Sequence, residues 1–217
     1  MKFMEVIADL LFPPRCTFCK KLLKRGESGI CSVCINSLPY NTWTKAPKIE
    51  FIEDFVAPLK YEGSVRDALL RYKFKGVTVY ARTFAKLVAK SVSEELKGKY
   101  DIISWVPLSS ERLRQRGYDQ AMLIAMACAL ELDDVAVETL KKCRDTDPQS
   151  GKGEISARRA NISGAYEVAD AELIAGKRIL LIDDVVTTGA TVSECARMLK
   201  LGGAEAVLCA AVAYSGN

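Results

Sequence analysis

Two carboxylates and a run of hydroxyl side chains carry the strongest chemical signal in this chain: Asp183-Asp184, then Thr187-Thr188-Gly189-Ala190-Thr191. Ionised carboxylates are acceptors only, suited to vicinal sugar hydroxyls or to a hydrated Mg²⁺. Successive backbone N–H groups and three hydroxyls at the start of a helix suit a phosphate monoester, because unpaired donors and the helix dipole favour an anion. Gly189 lets the backbone close on the phosphate with no Cβ in the way. Acids and phosphate loop lie side by side, so the ligand expected here is a ribose 5-phosphate unit. An Asp pair alone would more often cap the next helix; the hydroxyl-rich loop behind it argues against that reading. A receiver-like phosphoacceptor role for either Asp is disfavoured for the same reason.

A second cluster lies near the N-terminus. Cys16-Thr-Phe-Cys19 and Cys31-Ser-Val-Cys34 are separated by eleven residues. Paired C-x₂-C turns at this separation suit one tetrahedral Zn²⁺ held by Cys16, Cys19, Cys31 and Cys34. Two disulfides compete, but fit poorly with the lack of an export signal; a thioredoxin-like motif would not come as a matched pair. The segment is too short for a hydrophobic core of its own, so metal would supply much of its stability. Cys128, Cys143, Cys195 and Cys209 show no pairing pattern and are expected as buried small apolar residues.

These groups need elements to hold them. The apolar run 179–182 predicts a buried strand that ends in the two acids. A helix is expected from Val192 to Leu201 and a last buried strand from Ala204 to Ala213. Upstream, a short amphipathic helix is expected over 2–12, stopped by Pro13-Pro14. A strand is expected over Phe51–Tyr61, and helices over Val65–Phe74, Thr78–Leu96 and Ala121–Leu130. Further strands are expected over Asp101–Val106, Val135–Leu140 and Gly164–Val168. Strands alternating with helices mean a parallel α/β sheet, which binds ligands at the carboxyl ends of its strands. Residues 107–112 form one loop there. Residues 141–155 form another, long and polar, with the character of a lid. Lys73 and Lys75 end a helix, where they serve either as dipole-favourable surface charge or as a pyrophosphate contact.

Composition bounds the rest. The chain has 217 residues, 49% apolar, with a net charge of +4. That allows one ordinary domain with a small appendage and gives little support to nucleic-acid binding by charge alone. With no histidine, His-dependent triads, zincins and His general bases are excluded. No run of 18 apolar residues exists to cross a membrane, and a cytoplasmic protein is expected.

The Ile179–Thr191 stretch resembles the phosphoribosyl-diphosphate (PRPP) motif of type I phosphoribosyltransferases. Pro107, Arg112 and Arg116-Gly117-Tyr118-Asp119-Gln120, together with the Cys₄ knuckle, are similar to the ComF family of competence-associated proteins over essentially the whole chain. Many relatives read Asn where Asp119 stands. The resemblance implies a type I phosphoribosyltransferase fold at 48–217, a parallel-sheet core with flanking helices, and a Cys₄ zinc-ribbon-like hood at 1–47. It implies that Asp183 and Asp184 hold the ribose hydroxyls and that Val185 and Thr187 to Thr191, with Gly189 and Ala190, hold the 5-phosphate. It gives Pro107, Leu108, Ser109, Arg112 and Arg116 the pyrophosphate, with Lys73. Arg144, Lys152 and Arg158 would come from the lid, beside Gln149 and Asn161. Mg²⁺ would accompany PRPP, and Asp183, Asp184, Arg144 and Lys152 would serve catalysis of pentosyl transfer to an acceptor. The same resemblance implies a role in natural competence, with single-stranded DNA or DNA-uptake proteins as partners. The alternative is a catalytically silent PRPP-fold module that regulates or handles DNA.

Overall fold

The computed structural model describes residues 13–43, 46–144 and 164–216. The helix expected over 2–12 and most of the polar loop, including Gln149, Lys152, Arg158 and Asn161, lie outside the described residues.

In chain order the elements are α1 (Ser32–Ser37), β1 (Phe55–Val56), β2 (Leu59–Lys60), α2 (Gly63–Phe74), α3 (Tyr80–Glu95), β3 (Ile102–Trp105), α4 (Ser110–Arg116), α5 (Gln120–Leu132), β4 (Leu140–Lys142), β5 (Tyr166–Val168), α6 (Ala171–Ile174), β6 (Arg178–Val186), α7 (Ala190–Leu201) and β7 (Ala206–Tyr214). The main sheet runs β1-β7-β6-β3, with β2 also on β7, and every pairing is parallel. Alternation along β6 feeds two cores, as period-two side chains must. Leu180 and Ile182 pack with α2, α3 and α5 on one face; Ile179 and Leu181 pack with α6 and α7 on the other.

Several elements differ from the sequence reading, each for a local reason. β6 does not stop at the acids: it runs through Asp183 and Asp184 to Val186, because Val185 and Val186 still pair with Ala213 and Tyr214 of β7. The strand expected over Phe51–Tyr61 is two short pieces. Phe51 has a positive φ of 64°, and Pro58, which has no N–H, separates the pieces. The strand expected over Val135–Leu140 contributes one parallel bridge, Ala136 to Ile103. The ladder comes later, where β4 pairs antiparallel with β5. Thus Lys141 and Lys142 are strand, not loop. The loop expected over 107–112 is only Pro107 to Ser109, since Ser109 caps α4 by accepting from the Arg112 N–H at 3.4 Å. Cys128, Cys195 and Cys209 are buried, but Cys143 is exposed: it lies just past β4, where its N–H donates to the Ala165 carbonyl at 2.9 Å.

The N-terminal segment is stitched to the sheet. Tyr40 bridges to Leu59 in antiparallel fashion, and the Lys60 N–H donates to the Pro39 carbonyl at 2.8 Å. The Asn41 side-chain amide donates to the carbonyls of Ala57 and Leu59 at 2.7 and 2.8 Å. No helix among the described residues is long and apolar enough to cross a membrane.

Candidate functional site

Neighbouring residues of a strand point to opposite faces, so the two acids meet different surroundings. Asp184 is buried at 6% exposure and takes the Lys73 ammonium at 2.8 Å from its Oδ1. Lys73 comes from the last turn of α2, whose buried face of Val65, Ala68, Leu69 and Tyr72 lays the helix on the sheet. Burial alone would lower the Lys73 pKa, but the Asp184 carboxylate more than offsets this and the net direction is up. Asp183 accepts the Asp184 N–H at 2.8 Å. Burial, and then the charge of Asp184, push its pKa up to about 8, against the pull of Lys73.

Past Val186 the chain turns. Thr187 and Thr188 are exposed, and Gly189 takes a φ of 78° as it leads into α7. Asp183, Val185, Thr187, Thr188, Gly189, Ala190 and Thr191 line one small pocket of about 40 Å³. Gly189 has a second reason to be glycine, invisible in the sequence: a Cβ there would lie 3.0 Å from Cγ2 of Ile49. The segment before β1 thus packs on the loop.

Across from the acids, Lys73, Arg112 and Arg116 line a groove of about 350 Å³ with Phe74, Gly76 and Gln115. Arg116 donates to the Gln120 side chain at 2.7 Å and lies over the Phe74 ring at 5.0 Å. Burial lowers the Arg116 pKa while Asp184 acts to raise it, so the guanidinium feels the acid.

Pro107 and Ser109 are buried beside this groove, and Leu108 is half-buried. The Leu108 N–H is engaged: it donates to Asp119 Oδ2 at 2.8 Å, while Asp119 Oδ1 takes the Met122 N–H at 3.0 Å. Asp119 therefore acts as a double acceptor that caps α5 and pins the turn after β3. Burial raises its pKa despite these bonds. Arg144 stands at the root of the polar segment, its Nε donating to the Gly164 carbonyl at 3.3 Å.

The structure thus brings Lys73, Arg112, Arg116, Asp183 and Asp184 to one end of the sheet beside the Thr187–Thr191 loop. Sequence reading missed Asp119 as a pin, Ile49 as a lid on Gly189, and the bond made by Tyr72, a residue expected on the core face of α2, whose hydroxyl donates to the Gln120 carbonyl at 2.9 Å. Asp119 sits in the Arg116–Gln120 motif, but nothing local tells which N–H groups it accepts; only the tertiary fold unites the three.

The four N-terminal cysteines also converge. Their sulfurs lie within 4.8 Å of one another, with Cys19 Sγ to Cys31 Sγ at 3.7 Å. Four thiolates about 2.3 Å from one Zn²⁺ would lie about 3.8 Å apart, so the donor set fits that ion. Backbone N–H groups point at the sulfurs, Cys31 N to Cys16 Sγ at 3.4 Å and Cys34 N to Cys31 Sγ at 3.5 Å. Burial works to raise the Cys16 pKa, but bonds from the N–H groups of Cys19, Cys31 and Phe18 prevail and bring it to about 7.

Comparison with known proteins agrees with both regions. A phosphoribosyl transferase domain matches residues 119–217, and a double zinc ribbon domain matches residues 7–45. The latter span holds four cysteines here, enough donors for one tetrahedral ion. Competence protein F of Haemophilus influenzae is 30% identical over 224 residues, covering 89% of this chain and 93% of that protein. DNA utilization protein YhgH of Salmonella typhimurium is 28% identical over 235 residues, covering 91% and 96%. Adenine phosphoribosyltransferase from Thermoanaerobacter pseudethanolicus aligns over 65% of this chain and 83% of its own, with 15% identity and a TM-score of 0.39. The 30% identity across nearly the full length of both proteins, together with the transferase and zinc-ribbon matches, makes this chain a member of the ComF family of type I phosphoribosyltransferases.

Proposed function

We propose that this protein binds PRPP with Mg²⁺ and transfers its phosphoribosyl group to an acceptor, in the cytoplasm and in service of DNA uptake. One observation carries the reading: an acid pair and a hydroxyl-rich anion loop meet at the end of one strand, facing Lys73 and Arg116. The Asp183 and Asp184 carboxylates accept the ribose hydroxyls, and the N–H groups and hydroxyls of 187–191 hold the 5-phosphate. Mg²⁺, when bound with the substrate, offsets the charge of the pyrophosphate. Lys73, Arg112 and Arg116 hold that pyrophosphate as the C1–O bond breaks and the electron pair leaves with it. The acceptor forms the new bond to C1 and gives up its proton to the departing pyrophosphate or to water. Arg144, Lys152 and Arg158 supply further positive charge to the leaving pyrophosphate. Catalysis by positioning and charge needs no histidine. Zn²⁺ at the four cysteines is structural.

A second reading, a DNA-handling module without turnover, draws on the DNA utilization name of the Salmonella relative and on Phe74. That ring is 65% exposed beneath Arg116, as in platforms that stack a base. Calorimetry with PRPP·Mg²⁺, then pyrophosphate release with a panel of bases and single-stranded DNA, separates the two. Binding with release supports transfer. Tight binding without release to any acceptor supports the second reading. No binding, or binding unaffected by Asp183→Asn with Asp184→Asn, refutes the PRPP site.

A further inference from the structure

Three successive residues at the end of α2 face three different partners. The Arg71 guanidinium donates from Nη2 to the carbonyls of Thr17 and Phe18 at 2.8 and 3.1 Å. These are the two residues between Cys16 and Cys19. The Tyr72 ring lies 5.5 Å from Phe84, which in turn meets Phe18 at 6.3 Å. Lys73 holds Asp184 at 2.8 Å. Residues i and i+2 lie on opposite sides of a helix, so the last turn of α2 is gripped by the knuckle on one side and by the acid on the other.

Arg71 is also electrostatically odd. Its Nε is buried and makes no hydrogen bond. Its neighbours are two neutral carbonyls and the Tyr80 ring at 5.8 Å. No carboxylate among the described residues forms an ion pair with it. A charge held partly out of water needs an opposite charge nearby. Four thiolates around one Zn²⁺ carry a net charge of about −2, and two of them, Cys16 and Cys19, flank the turn whose carbonyls Arg71 holds.

We infer that Arg71 is a positioning residue: it is the counter-charge of the metal–thiolate knuckle, and it links occupancy of that knuckle to the Lys73–Asp184 pair two residues away. With the knuckle loaded, the turn carbonyls are fixed, Arg71 is held, and Lys73 is presented to the acid. With the knuckle emptied, the turn carbonyls lose their fixed direction. The last turn of α2 is then free to move by the ångström or so that breaks a short ion pair. Linkage is reciprocal, so breaking the ion pair weakens the knuckle's hold on zinc. The ligand-binding half of this rests on the PRPP reading above; the zinc half does not.

The test uses the full-length chain. Zinc affinity is measured by competition with a chromophoric chelator for the parent, R71M, R71K and K73M. PRPP·Mg²⁺ affinity is then measured by calorimetry on zinc-loaded protein and on protein stripped by a zinc-selective chelator with Mg²⁺ in excess. R71M should weaken zinc binding about 10-fold or more, in the range for partners one step removed from a metal, and R71K less, because it keeps the charge. K73M, which is not among the cysteines' hydrogen-bond partners, should weaken it about 5-fold. Stripping should weaken PRPP binding by a similar factor in the parent and leave R71M unchanged, a pattern that mere destabilisation would not give. R71K reports in place of R71M if the latter fails to fold. Zinc affinities of R71M and K73M within two-fold of the parent would overturn the inference. PRPP failing to bind the zinc-loaded parent while both zinc shifts persist would overturn the PRPP reading and leave the linkage standing.

Discussion

Ligand binding at the acid pair should release a proton. Burial, reinforced by Asp184, holds the Asp183 pKa at about 8, so at pH 7 about nine molecules in ten carry a proton there. A hydrated cation favours the carboxylate, and a charged acceptor takes a ribose hydroxyl more strongly than the neutral acid does, so on this reading that proton leaves when PRPP·Mg²⁺ binds. About 0.9 proton per site should then be released at pH 7, and the Kd should fall about ten-fold from pH 6 to pH 7 and level off above pH 8. From pH 6 to pH 9 the gain is about 90-fold, or about 2.7 kcal/mol. Calorimetry in two buffers of different ionisation enthalpy counts the protons directly. Asp183→Asn supplies the baseline set by the ligand's own phosphates. The apo protein offers an independent check on sign. Because the folded pKa lies above the unfolded one, the Asp183 contribution to stability is present below about pH 4 and is lost as pH rises through about 8; Asp183→Asn should lack that slope. A flat Kd profile with no proton release beyond the baseline would refute the reasoning.

Three other perturbations follow from specific contacts. Asp119→Asn leaves one acceptor oxygen for the N–H groups of Leu108 and Met122. It should cost about 1–3 kcal/mol, a Tm drop of roughly 2–12 °C in a chain of this size; an unchanged melt would mean that the Leu108 N–H has another partner. Gly189→Ala meets both a φ of 78° and Ile49 at 3.0 Å. It should cost about 1–3 kcal/mol by urea unfolding, with Ile49→Ala in the same chain restoring part of the loss. No loss, or full restoration, would show that backbone strain at this turn is absent. Metal analysis should find one zinc per chain and none after Cys16→Ser with Cys19→Ser; knuckle amides equally protected from hydrogen exchange in both proteins would show that metal is not what orders the segment.

What was legible in the sequence is what is local. The apolar run at 179–182, the Thr-Thr-Gly-x-Thr turn and the C-x₂-C pairs each spell their element within a dozen residues, and the parallel sheet follows from the alternation of strands and helices. Element ends were less legible because pairing decides them. β6 continues through its acids only because β7 is there to bond Val185 and Val186. The loop after β3 shortens because Ser109 caps a helix that three arginines in five residues had disguised as a polar stretch. Contacts across the chain were not legible at all. Whether Lys73 was surface charge or site could not be decided from α2 alone; Asp184 lies 111 positions away and pairs with it at 2.8 Å. The Asn-to-Asp difference at 119 reads as a lost donor in isolation. In the fold both neighbours are donors, and the acid is the better acceptor.

The stitching of Pro39, Tyr40 and Asn41 onto β2 has a consequence for solubility. A bare outer strand, with unmet N–H and C=O groups along its length, recruits strands from other molecules. Here Pro58 interrupts that margin, and the Asn41 amide spans the gap by holding a carbonyl on either side of it. Cleaving the chain ahead of residue 48 would uncover this border, and the freed transferase fragment would be prone to self-association through its own rim.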